Sequence, residues 1–500
     1  MATDSYPHTK YKTMENVLQK INNKFIALPE EETKRNTIIL DKVTEQLIEK
    51  MKDGNVLFNK MFQKIFYGGS YYDKLKVGKP EEYDLDFLLI FPENGKPAIE
   101  VSDKPGFVNV VINNYRDISS TNINEKKCDK YESLLVETKY LSTLEVLKWF
   151  EKVLDKALKE FLKVEGEGHL FKVKLNVEDE LDVYGTLVKA FPAFTLKLKS
   201  KDIKLDLDLV PCFQFTDSDW PKENYKPNPF PQKKTFVVVP KSPKCEGEQI
   251  KGIVKYWRLS FQEQERLILT GDQYNNMKAV LRLLKKLRDQ KNHKIASYYI
   301  KTMFLWEVDT REPAFWSQSL SVVFMEMLRK YEELLRIKNI PYYWNSDYNL
   351  IAHLKEVTII GIANFIKKVI ENVDRRITED PFVIATYILC EEDVKELKKE
   401  VDVGKKNKKL IGTQSSSLVD TVEKSEQLEK IMESLDSLHQ KLDRLINWNI
   451  DLEGKIKQID EKVENETLSI HIKICLILKL VILTLDQMVH RYILHFPNNH

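Results

Sequence analysis

Glycine is scarce in this chain. It supplies 16 of 500 residues, whereas about 7% is usual, so a collagen-like or glycine-rich repeat protein is excluded. Charged residues make up 31% of the chain and apolar residues 42%. A wholly disordered protein has fewer apolar residues, and a membrane-embedded protein has fewer charges. The composition therefore indicates a folded protein that is not embedded in a membrane.

Cysteine is also rare, and its placement disfavours two kinds of site. The chain has five cysteines, an odd number with no C-x-x-C pair, so we expect neither a full disulfide framework nor a zinc site. They are Cys128, Cys212, Cys245, Cys390 and Cys475. A reducing compartment fits this pattern. Because residues 1–19 are polar and lack the apolar stretch of a secretory signal, we expect a cytoplasmic protein.

A surplus of one charge sign is missing as well. The 78 Lys+Arg residues nearly balance the 76 Asp+Glu residues, which leaves a formal net charge of +2. This sum says little about partners, because it can hide a strongly basic face. The length of 500 residues predicts three domains, or one large lobed domain with an appendage, at roughly 150 residues per domain.

The first half of the chain mixes helical and strand patterns. Apolar residues recur at helical spacing over residues 14–66, with a break at Pro29, and predict a long helix that runs toward Gly68. Its apolar face is predicted to comprise Ile38, Val43, Leu47 and Met51. Two short aromatic and aliphatic stretches, Tyr83–Phe91 and Ile203–Phe215, predict strands.

Beyond Pro240 the pattern becomes mostly helical. One helix is predicted earlier, over Leu144–Phe161, and four are predicted after Pro240, over Tyr256–Leu269, Met277–Arg288, Ser297–Val308 and Ser319–Ile337. We therefore expect an α+β lobe over residues 1–240, followed by a helical lobe over residues 241–385. Polar, lysine-rich sequence then predicts a linker over residues 386–420.

The last segment, residues 421–500, is predicted to form a coiled coil and an apolar tail helix. Apolar residues alternate at spacings of three and four, and Asn449 occupies one core position. They are Leu428, Ile431, Leu435, Leu438, Leu442, Leu445, Leu452, Ile456, Ile459 and Val463. One polar core position favours a parallel dimer in a single register. Lys473 and Lys479 interrupt the apolar tail, which favours a buried helix, a membrane-surface helix or an extension of the oligomer core over a membrane span.

Acidic and apolar residues alternate along both predicted strands. Glu82, Asp84 and Asp86 share one face of the first strand, and Asp206 and Asp208 share one face of the second. If the strands are neighbours, the crowded carboxylates repel one another unless cations compensate. Hard divalent ions with oxygen ligands provide such compensation. The alternative is a pair of half-exposed strands whose acids simply face water.

A Gly-Ser turn ahead of the first strand favours the metal-site interpretation. Gly69 and Ser70 offer backbone N–H groups and a hydroxyl to a phosphate. A phosphate cradle beside a carboxylate cluster is the layout of a two-metal nucleotidyltransferase.

At this point the chain resembles the cyclic GMP-AMP synthase and Mab-21 group of nucleotidyltransferases. Gly69-Ser70, eleven residues and Glu82-Tyr83-Asp84 are similar to the group's GS-x11-E-x-D signature, and Asp208 resembles the third metal ligand. Two later segments resemble its nucleotide-binding segments: Trp257-Arg258-Leu259-Ser260-Phe261, taken as a helix start, and Ser297-Tyr298-Tyr299-Ile300-Lys301-Thr302. The resemblance covers about residues 14–373 and implies a bilobed nucleotidyltransferase fold.

The resemblance also implies roles for individual residues. Glu82, Asp84 and Asp208 would be catalytic and hold two Mg2+ (or Mn2+) ions. The nucleotides and their phosphates would contact Gly69, Ser70, Arg258, Ser260, Gln262, Glu265, Lys285, Ser297, Tyr298 and Lys301, with Tyr298 stacking on a base. Both Lys278 and Lys285 are candidates for the family lysine on the intervening helix. Asp86 and Asp206 have no ligand role in the pattern.

The activating ligand implied by the resemblance is double-stranded RNA. The chain resembles animal cyclic GMP-AMP synthase-like receptors more than the vertebrate synthase, because it lacks the Cys/His zinc insertion that clamps DNA. Residues 278–301 hold eight bases and one acid, and a shared basic face of the helix suits phosphate backbones. The cations predicted to bind RNA are Lys278, Arg282, Lys286, Arg288, Lys291 and Lys294.

The expected function is synthesis of a cyclic dinucleotide, cyclic GMP-AMP, from ATP and GTP. The product would act as a second messenger in innate antiviral signalling and bind a downstream receptor. A catalytically silent Mab-21-like scaffold and a synthase of linear oligonucleotides are the alternatives. The presence of Glu82, Asp84, Asp208 and the Gly69-Ser70 turn favours an enzyme.

Overall fold

A computed structural model describes residues 8–401, apart from 92–96, 114–130, 138, 177–178, 191–192, 202, 242, 244–254, 272–273 and 275. All described residues belong to one compact unit, Met1–Asp402. The predicted coiled coil and apolar tail, and the linker beyond residue 401, lie outside the described residues. No helix in the described part of the chain is long and apolar enough to cross a membrane.

The chain starts with a run of helical segments. A 3-10 turn His8–Met14, helix α1 (Glu15–Lys20) and a π-helical turn Ile21–Ile26 lead to the long helix α2 (Glu30–Gly54) and to α3 (Val56–Met61). Helix α2 begins directly after Pro29, and three glutamates in its first turn face the positive end of the helix dipole. Its buried face comprises Ile39, Leu40, Val43, Leu47 and Met51.

Two details of the predicted helix are wrong. Ile38 is 38% exposed and does not join the apolar face, which Ile39 and Leu40 form instead. The helix also does not reach Gly68, because residues Phe62–Gly68 form strand β1. This strand pairs antiparallel with the next strand in the chain. The spacing of apolar residues within one segment does not reveal such a pairing partner.

Thirteen strands form one sheet in the described part of the chain. After β1 they are β2 (Glu82–Leu89), β3 (Pro97–Val101), β4 (Phe107–Ile112), β5 (Leu135–Val136), β6 (Tyr140–Leu141), β7 (Lys163–Val164), β8 (Gly168–Lys174), β9 (Glu180–Ala190), β10 (Ala193–Ser200), β11 (Ile203–Thr216), β12 (Thr235–Val239) and β13 (Tyr256–Ser260). The order is β5-β6-β4-β13-β12-β11-β10-β9-β8-β7, and β2 pairs with both β1 and β11. Helix α5 (Thr143–Leu158) packs against α2.

The two acid-bearing strands are direct neighbours, as the sequence predicted. Strands β2 and β11 pair in parallel, with Asp84 opposite Asp208 and Glu82 opposite Asp206. Tyr83, Leu85 and Phe87 on the other face of β2 are buried in the core. Burial of this apolar face fixes the register, because a slip by one residue would exchange the two faces.

A helical lobe follows the sheet. Its helices are α6 (Gln262–Ile268), α7 (Met277–Gln290), α8 (Ser297–Thr310), α9 (Pro313–Trp316), α10 (Leu320–Arg336), α11 (Glu356–Arg376) and α12 (Ala385–Ile388). Helix α7 lies inside this lobe and packs against α8, α10 and α12. The prediction of one helix over Tyr256–Leu269 is wrong at its start, because residues 256–260 form β13. That strand pairs with β12 and β4 in the sheet.

The predicted linker starts too early. Residues 391–401 are helical, and Leu397 is fully buried. Lys24 in the π-helical turn forms salt bridges with Glu396, at 2.6 Å, and with Glu400. The many charges of this segment suggested solvated sequence, but its apolar residues and these ion pairs attach it to the folded unit.

Candidate active site

A cavity of about 490 Å³ opens beside the paired acidic strands. All ten residues that the sequence predicted to contact nucleotides line it. They are Gly69, Ser70, Arg258, Ser260, Gln262, Glu265, Lys285, Ser297, Tyr298 and Lys301. Glu82, Asp84 and Asp86 line the same cavity. The sheet and the helical lobe thus bring together residues from widely separated parts of the chain.

Burial and repulsion from neighbouring carboxylates raise the pKa values of Asp84 and Asp86 on β2. The pKa of Asp84 is raised above its usual range by burial first and by Asp208 second. Asp86, which is 4% exposed, has its pKa raised to about 7 by burial and by Asp84. This crowding is the electrostatic situation that a bound cation relieves.

The other two predicted metal ligands have partners of their own. Lys76 donates to Oε2 of Glu82 at 2.5 Å, and Thr195 on β10 donates to Oδ1 of Asp208 at 2.6 Å. Accordingly, no group of three His, Cys, Asp or Glu side chains within the described residues is arranged to hold a metal ion. The parallel register brings the backbones of Asp84 and Asp208 together.

The donor set nevertheless fits a hard divalent cation. Glu82, Asp84 and Asp208 offer only oxygen atoms, which Mg2+ and Mn2+ prefer. The raised pKa of Asp84 also indicates a local surplus of negative charge. Next to it, a Cβ atom on Gly69 would lie 1.7 Å from Oδ2 of Asp84, so only glycine leaves room around this carboxylate.

The Gly-Ser turn is more constrained than the sequence indicated. Gly69 adopts φ +73, a backbone conformation that suits glycine, and begins the short helix α4 (Gly69–Tyr72). Its N–H donates to Oε1 of Gln262 at 3.1 Å. That backbone donor is therefore already engaged, which corrects the expectation that it faces a phosphate. Ser70 lines the cavity.

Two tyrosines hold the guanidinium of Arg258 in the cavity. The Arg258 Cζ atom lies 5.1 Å from the ring centroid of Tyr298 and 5.3 Å from that of Tyr342, within the range of cation–π attraction. The Tyr342 hydroxyl donates to the backbone carbonyl of Leu259 at 3.2 Å. Tyr342 thus contacts both the guanidinium of Arg258 and the backbone of the following residue, Leu259. The sequence analysis did not identify Tyr342.

Buried charges form a network at the back of the cavity. The Lys301 ammonium lies 2.7 Å from Asp73 and 3.0 Å from Glu265, and Asp73 also accepts from Arg266 at 2.9 Å. Burial lowers the pKa of Lys301, but the two carboxylates outweigh it and raise that pKa overall. Lys301 is therefore paired inside the protein, although the resemblance assigned it to phosphate. Tyr298 donates to Glu265 at 2.7 Å.

Lys285, and not Lys278, points into the cavity. Its Nζ donates to the carbonyl of Leu75 at 2.5 Å, and the residue is 5% exposed. Burial, and next the neighbouring Arg288, lower the pKa of Lys285 to about 8. Burial likewise lowers the pKa of Lys278, which is half-buried and lies about two helical turns earlier on α7.

The basic face predicted for RNA is smaller than the sequence indicated. Arg282 donates to Oδ1 of Asn22 at 2.9 Å and 3.1 Å and to the carbonyl of Lys74 at 2.9 Å. Arg288 donates to Asp289 at 2.7 Å. Both arginines are thus hydrogen-bonded within the protein. The other four predicted cations, Lys278, Lys286, Lys291 and Lys294, are partly or fully exposed, although Lys291 and Lys294 also donate to the carbonyl of Thr386 and to Asn292.

The sequence of this chain matches known protein families. The model of the Mab-21 protein nucleotidyltransferase domain matches residues 71–271, and that of the Mab-21 protein HhH/H2TH-like domain matches residues 276–368. A cyclic GMP-AMP synthase-like receptor of Aethina tumida is 41% identical over 393 residues, which cover 78% of this chain and 94% of the relative. The chain belongs to the cyclic GMP-AMP synthase-like receptors of the Mab-21 nucleotidyltransferase family.

Two further relatives are also cyclic GMP-AMP synthase-like receptors. The cyclic GMP-AMP synthase-like receptor of Tribolium castaneum is 39% identical over 388 residues, or 76% of this chain and 93% of the relative. That of Trichogramma pretiosum is 32% identical over 473 residues, or 89% of this chain and 91% of the relative. The family resemblance that the sequence motifs carried is therefore confirmed.

The structure adds residues that the family motifs did not reveal. Asp73 follows the Gly-Ser turn by three residues and carries two ion pairs, and Lys76 pairs with the predicted ligand Glu82. Tyr342 lies in the sequence Tyr-Tyr-Trp, and that aromatic run is the one signal that could have drawn attention to it. Nothing in the local sequence of Asp73 or Lys76 signals their partners.

Proposed function

We propose that this nucleotidyltransferase joins ATP and GTP into a cyclic dinucleotide, cyclic GMP-AMP, and that double-stranded RNA activates it. The observation that carries the proposal is the parallel register of Asp84, which lines the cavity, with Asp208 on the neighbouring strand β11. The similarity to cyclic GMP-AMP synthase-like receptors supports cyclic GMP-AMP as the product. Such a product would serve as a second messenger in innate antiviral defence and bind a downstream receptor.

In this proposal, three side chains hold two Mg2+ or Mn2+ ions: Glu82, Asp84 and Asp208. When bound, the ions lower the pKa of the attacking ribose hydroxyl and stabilise the leaving pyrophosphate. The protein itself mainly positions the substrates and neutralises charge, as phosphoryl transfer requires. Direct transfer of this kind relies on carboxylates and cations and needs no covalent nucleophile.

The cations of the cavity would bind the triphosphates. Lys285 and Arg258 both line the cavity, and Arg258 is held between two tyrosine rings. The Ser70 and Ser297 hydroxyls are further donors at the same wall. Tyr298 would stack on a base with the ring face that Arg258 does not cover. Lys301 would act indirectly, by holding Asp73 and Glu265 in place.

Exposed lysines support the proposal that duplex RNA is the activator. Lys278, Lys286, Lys291 and Lys294 are partly or fully exposed. Lysine contacts to phosphates favour any duplex of the right shape and give little sequence preference. A parallel homodimer through residues 428–463 stays a prediction, which sizing measurements on the full chain and on a chain truncated at Lys409 would test.

Product analysis tests the proposed function. The full chain is incubated with ATP and GTP, with Mg2+ or Mn2+, and with duplex RNA, duplex DNA or no nucleic acid, and the products are identified by mass spectrometry. We expect cyclic GMP-AMP with RNA. Linear products would favour the oligonucleotide synthase, and the absence of any product under all conditions would favour the silent scaffold.

A further inference from the structure

The Gln262 side chain connects the Gly-Ser turn with the acidic strand. Gln262 is the first residue of α6, and only Phe261 separates it from the end of β13. Its Oε1 accepts from the Gly69 N–H at 3.1 Å, and its Nε2 donates to Oδ2 of Asp86 at 2.9 Å. One carboxamide therefore spans the gap between α4 and β2.

The two hydrogen bonds require one acceptor and one donor at the end of the Gln262 side chain. The partner in the turn is a donor, and the partner on β2 is a carboxylate that accepts. Only an amide offers an acceptor and a donor in this geometry. The turn also packs tightly on the amide, since a Cβ atom on Gly68 would lie 2.5 Å from Oε1 of Gln262.

Helix α6 holds Gln262 rigidly. Gln264, which is fully buried, donates to the carbonyl of Thr235 at 2.9 Å. Glu265 accepts from the Trp344 indole N–H at 3.1 Å and pairs with Lys301. The end of the helix that carries Gln262 is therefore anchored to β12 and to the helical lobe.

We propose that Gln262 is a positioning residue for nucleotidyl transfer. It sets the spacing between the Gly69–Ser70 turn and the Asp84 carboxylate, and it acts through Gly69 and Asp86 without contacting the nucleotide. This role differs from the nucleotide contact that the family resemblance implies. The inference rests on the proposed function, in which Asp84 is a metal ligand and the turn receives phosphate. A misplacement of about 1 Å at such a site reduces the rate about 100-fold.

Substitutions that change polarity test the bridge. In Gln262→Glu the carboxylate still accepts from Gly69, but the amide N–H that donates to Asp86 is lost, and we expect a loss in kcat of about 100-fold with a KM change below about threefold. The double variant Gln262→Glu/Asp86→Asn restores a donor opposite the new carboxylate, so at least about tenfold of the loss should be recovered. Glu263→Gln, which changes only the pair with Lys233, is the matched control on the same helix.

Hydrogen exchange provides a readout that does not depend on turnover. We expect the Gly69 amide of Gln262→Met to exchange at least about tenfold faster than in the unchanged chain, while amides of β12 keep their protection. Met is close to Gln in volume, so this variant also decides the matter if Gln262→Glu does not fold. Thermal unfolding of each variant identifies losses due to unfolding alone.

The outcomes separate the inference from the proposed function. Faster exchange at Gly69 together with rescue of kcat supports the positioning role. Unchanged exchange, unchanged kcat, or a loss confined to KM would overturn it, the last because it indicates direct nucleotide contact. If the unchanged chain makes no product at all, the proposed function fails, and the exchange of Gly69 still tests the bridge.

Discussion

Gly69 lies so close to Asp84 that a Cβ atom on the glycine would be 1.7 Å from Oδ2 of the carboxylate. The backbone of Gly69 also has φ +73, which disfavours side chains. The Gly-Ser turn and the predicted metal ligand are thus coupled sterically, and the spacing of eleven residues between Ser70 and Glu82 only hints at it.

Gly69→Ala is expected to abolish nucleotidyl transfer because the new methyl group displaces Asp84. Gly78→Ala is the control, since Gly78 has φ +89 but nothing within 4 Å of the added Cβ. Both variants should lose about 1 kcal/mol of stability from backbone strain, but only Gly69→Ala should lose activity. Thermal unfolding and product formation are measured side by side. Equal activities of the two variants would contradict the steric argument.

Asp208→Asn is expected to abolish synthesis and to spare RNA binding. The substitution removes the charge opposite Asp84 but lies on the sheet, away from the exposed lysines of α7. Asp206→Asn is the matched control, because Asp206 lies two residues earlier on the same strand and pairs with Lys197 at 3.6 Å. Product formation and RNA affinity are measured for both. Retained synthesis in Asp208→Asn would refute its assignment as a ligand.

The affinity for nucleotides is expected to fall as the pH rises through 8. The pKa of Lys285 is lowered to about 8, so the ammonium that would attract a triphosphate is lost above this pH. The KM for ATP should rise about tenfold between pH 7 and pH 9, and Lys285→Arg should remove this dependence because arginine stays charged. A pH dependence that persists in Lys285→Arg would assign it to another group.

Lys285 should also destabilise the fold at neutral pH. Its folded-state pKa lies below the ordinary lysine value of 10.5, so the folded state disfavours the charged form. This penalty is fully present below about pH 8 and is relieved as the pH rises toward 10.5. Lys285→Met should therefore raise the free energy of unfolding at pH 7 and have less effect at pH 10. Urea unfolding at both pH values measures this difference.

Lys301→Met is expected to destabilise the protein strongly. The variant leaves Asp73 and Glu265 buried without their shared cation, and an uncompensated buried charge costs about 3–5 kcal/mol. Adding Asp73→Asn should recover part of the loss. Glu356→Gln breaks the exposed pair with Lys338 and should cost less than about 1 kcal/mol. Urea unfolding of these three variants and the unchanged chain gives the comparison, and a loss in Lys301→Met below that of Glu356→Gln would rule out a structural role for the network.

RNA binding is expected to weaken with salt and to depend on the exposed lysines. Replacing Lys286, Lys291 and Lys294 with Gln should lower the slope of log affinity against log salt by about one per lysine. The loss should be similar for duplexes of different sequence, because phosphate contacts do not read bases. Fluorescence titration of labelled duplex RNA measures the slopes. An unchanged slope in the triple variant would place the RNA elsewhere.

Short-range patterns predicted much of the site. The alternation of acids in β2 and β11 correctly indicated which side chains share a face, since strand parity is a local property. The Gly-Ser turn and the motifs around Arg258 and Tyr298 contributed residues that line the same cavity. The same local view failed for β13, where five residues that read as the start of a helix pair with distant strands.

Charge sums along the sequence were a poorer guide. The eight bases of residues 278–301 indicated one exposed face, but Lys285 and Arg282 hydrogen-bond to the turn at Lys74 and Leu75. A helix presents its cations to whatever packs on each side, and the sequence of α7 contains no information about that neighbour. The Gln262 bridge was hidden for the same reason, because its two partners lie far from it in the chain.

The sequence by itself determined the family, the parity of the acidic strands and the identity of about half of the residues that line the cavity, because these depend on spacing within short segments. Only the tertiary structure decided that Asp84 faces Asp208, that Gly69 has no room for a side chain, and that Lys301 is paired internally. Each of these depends on contacts between segments far apart in the chain, where packing and charge pairing, and not local propensity, set the outcome.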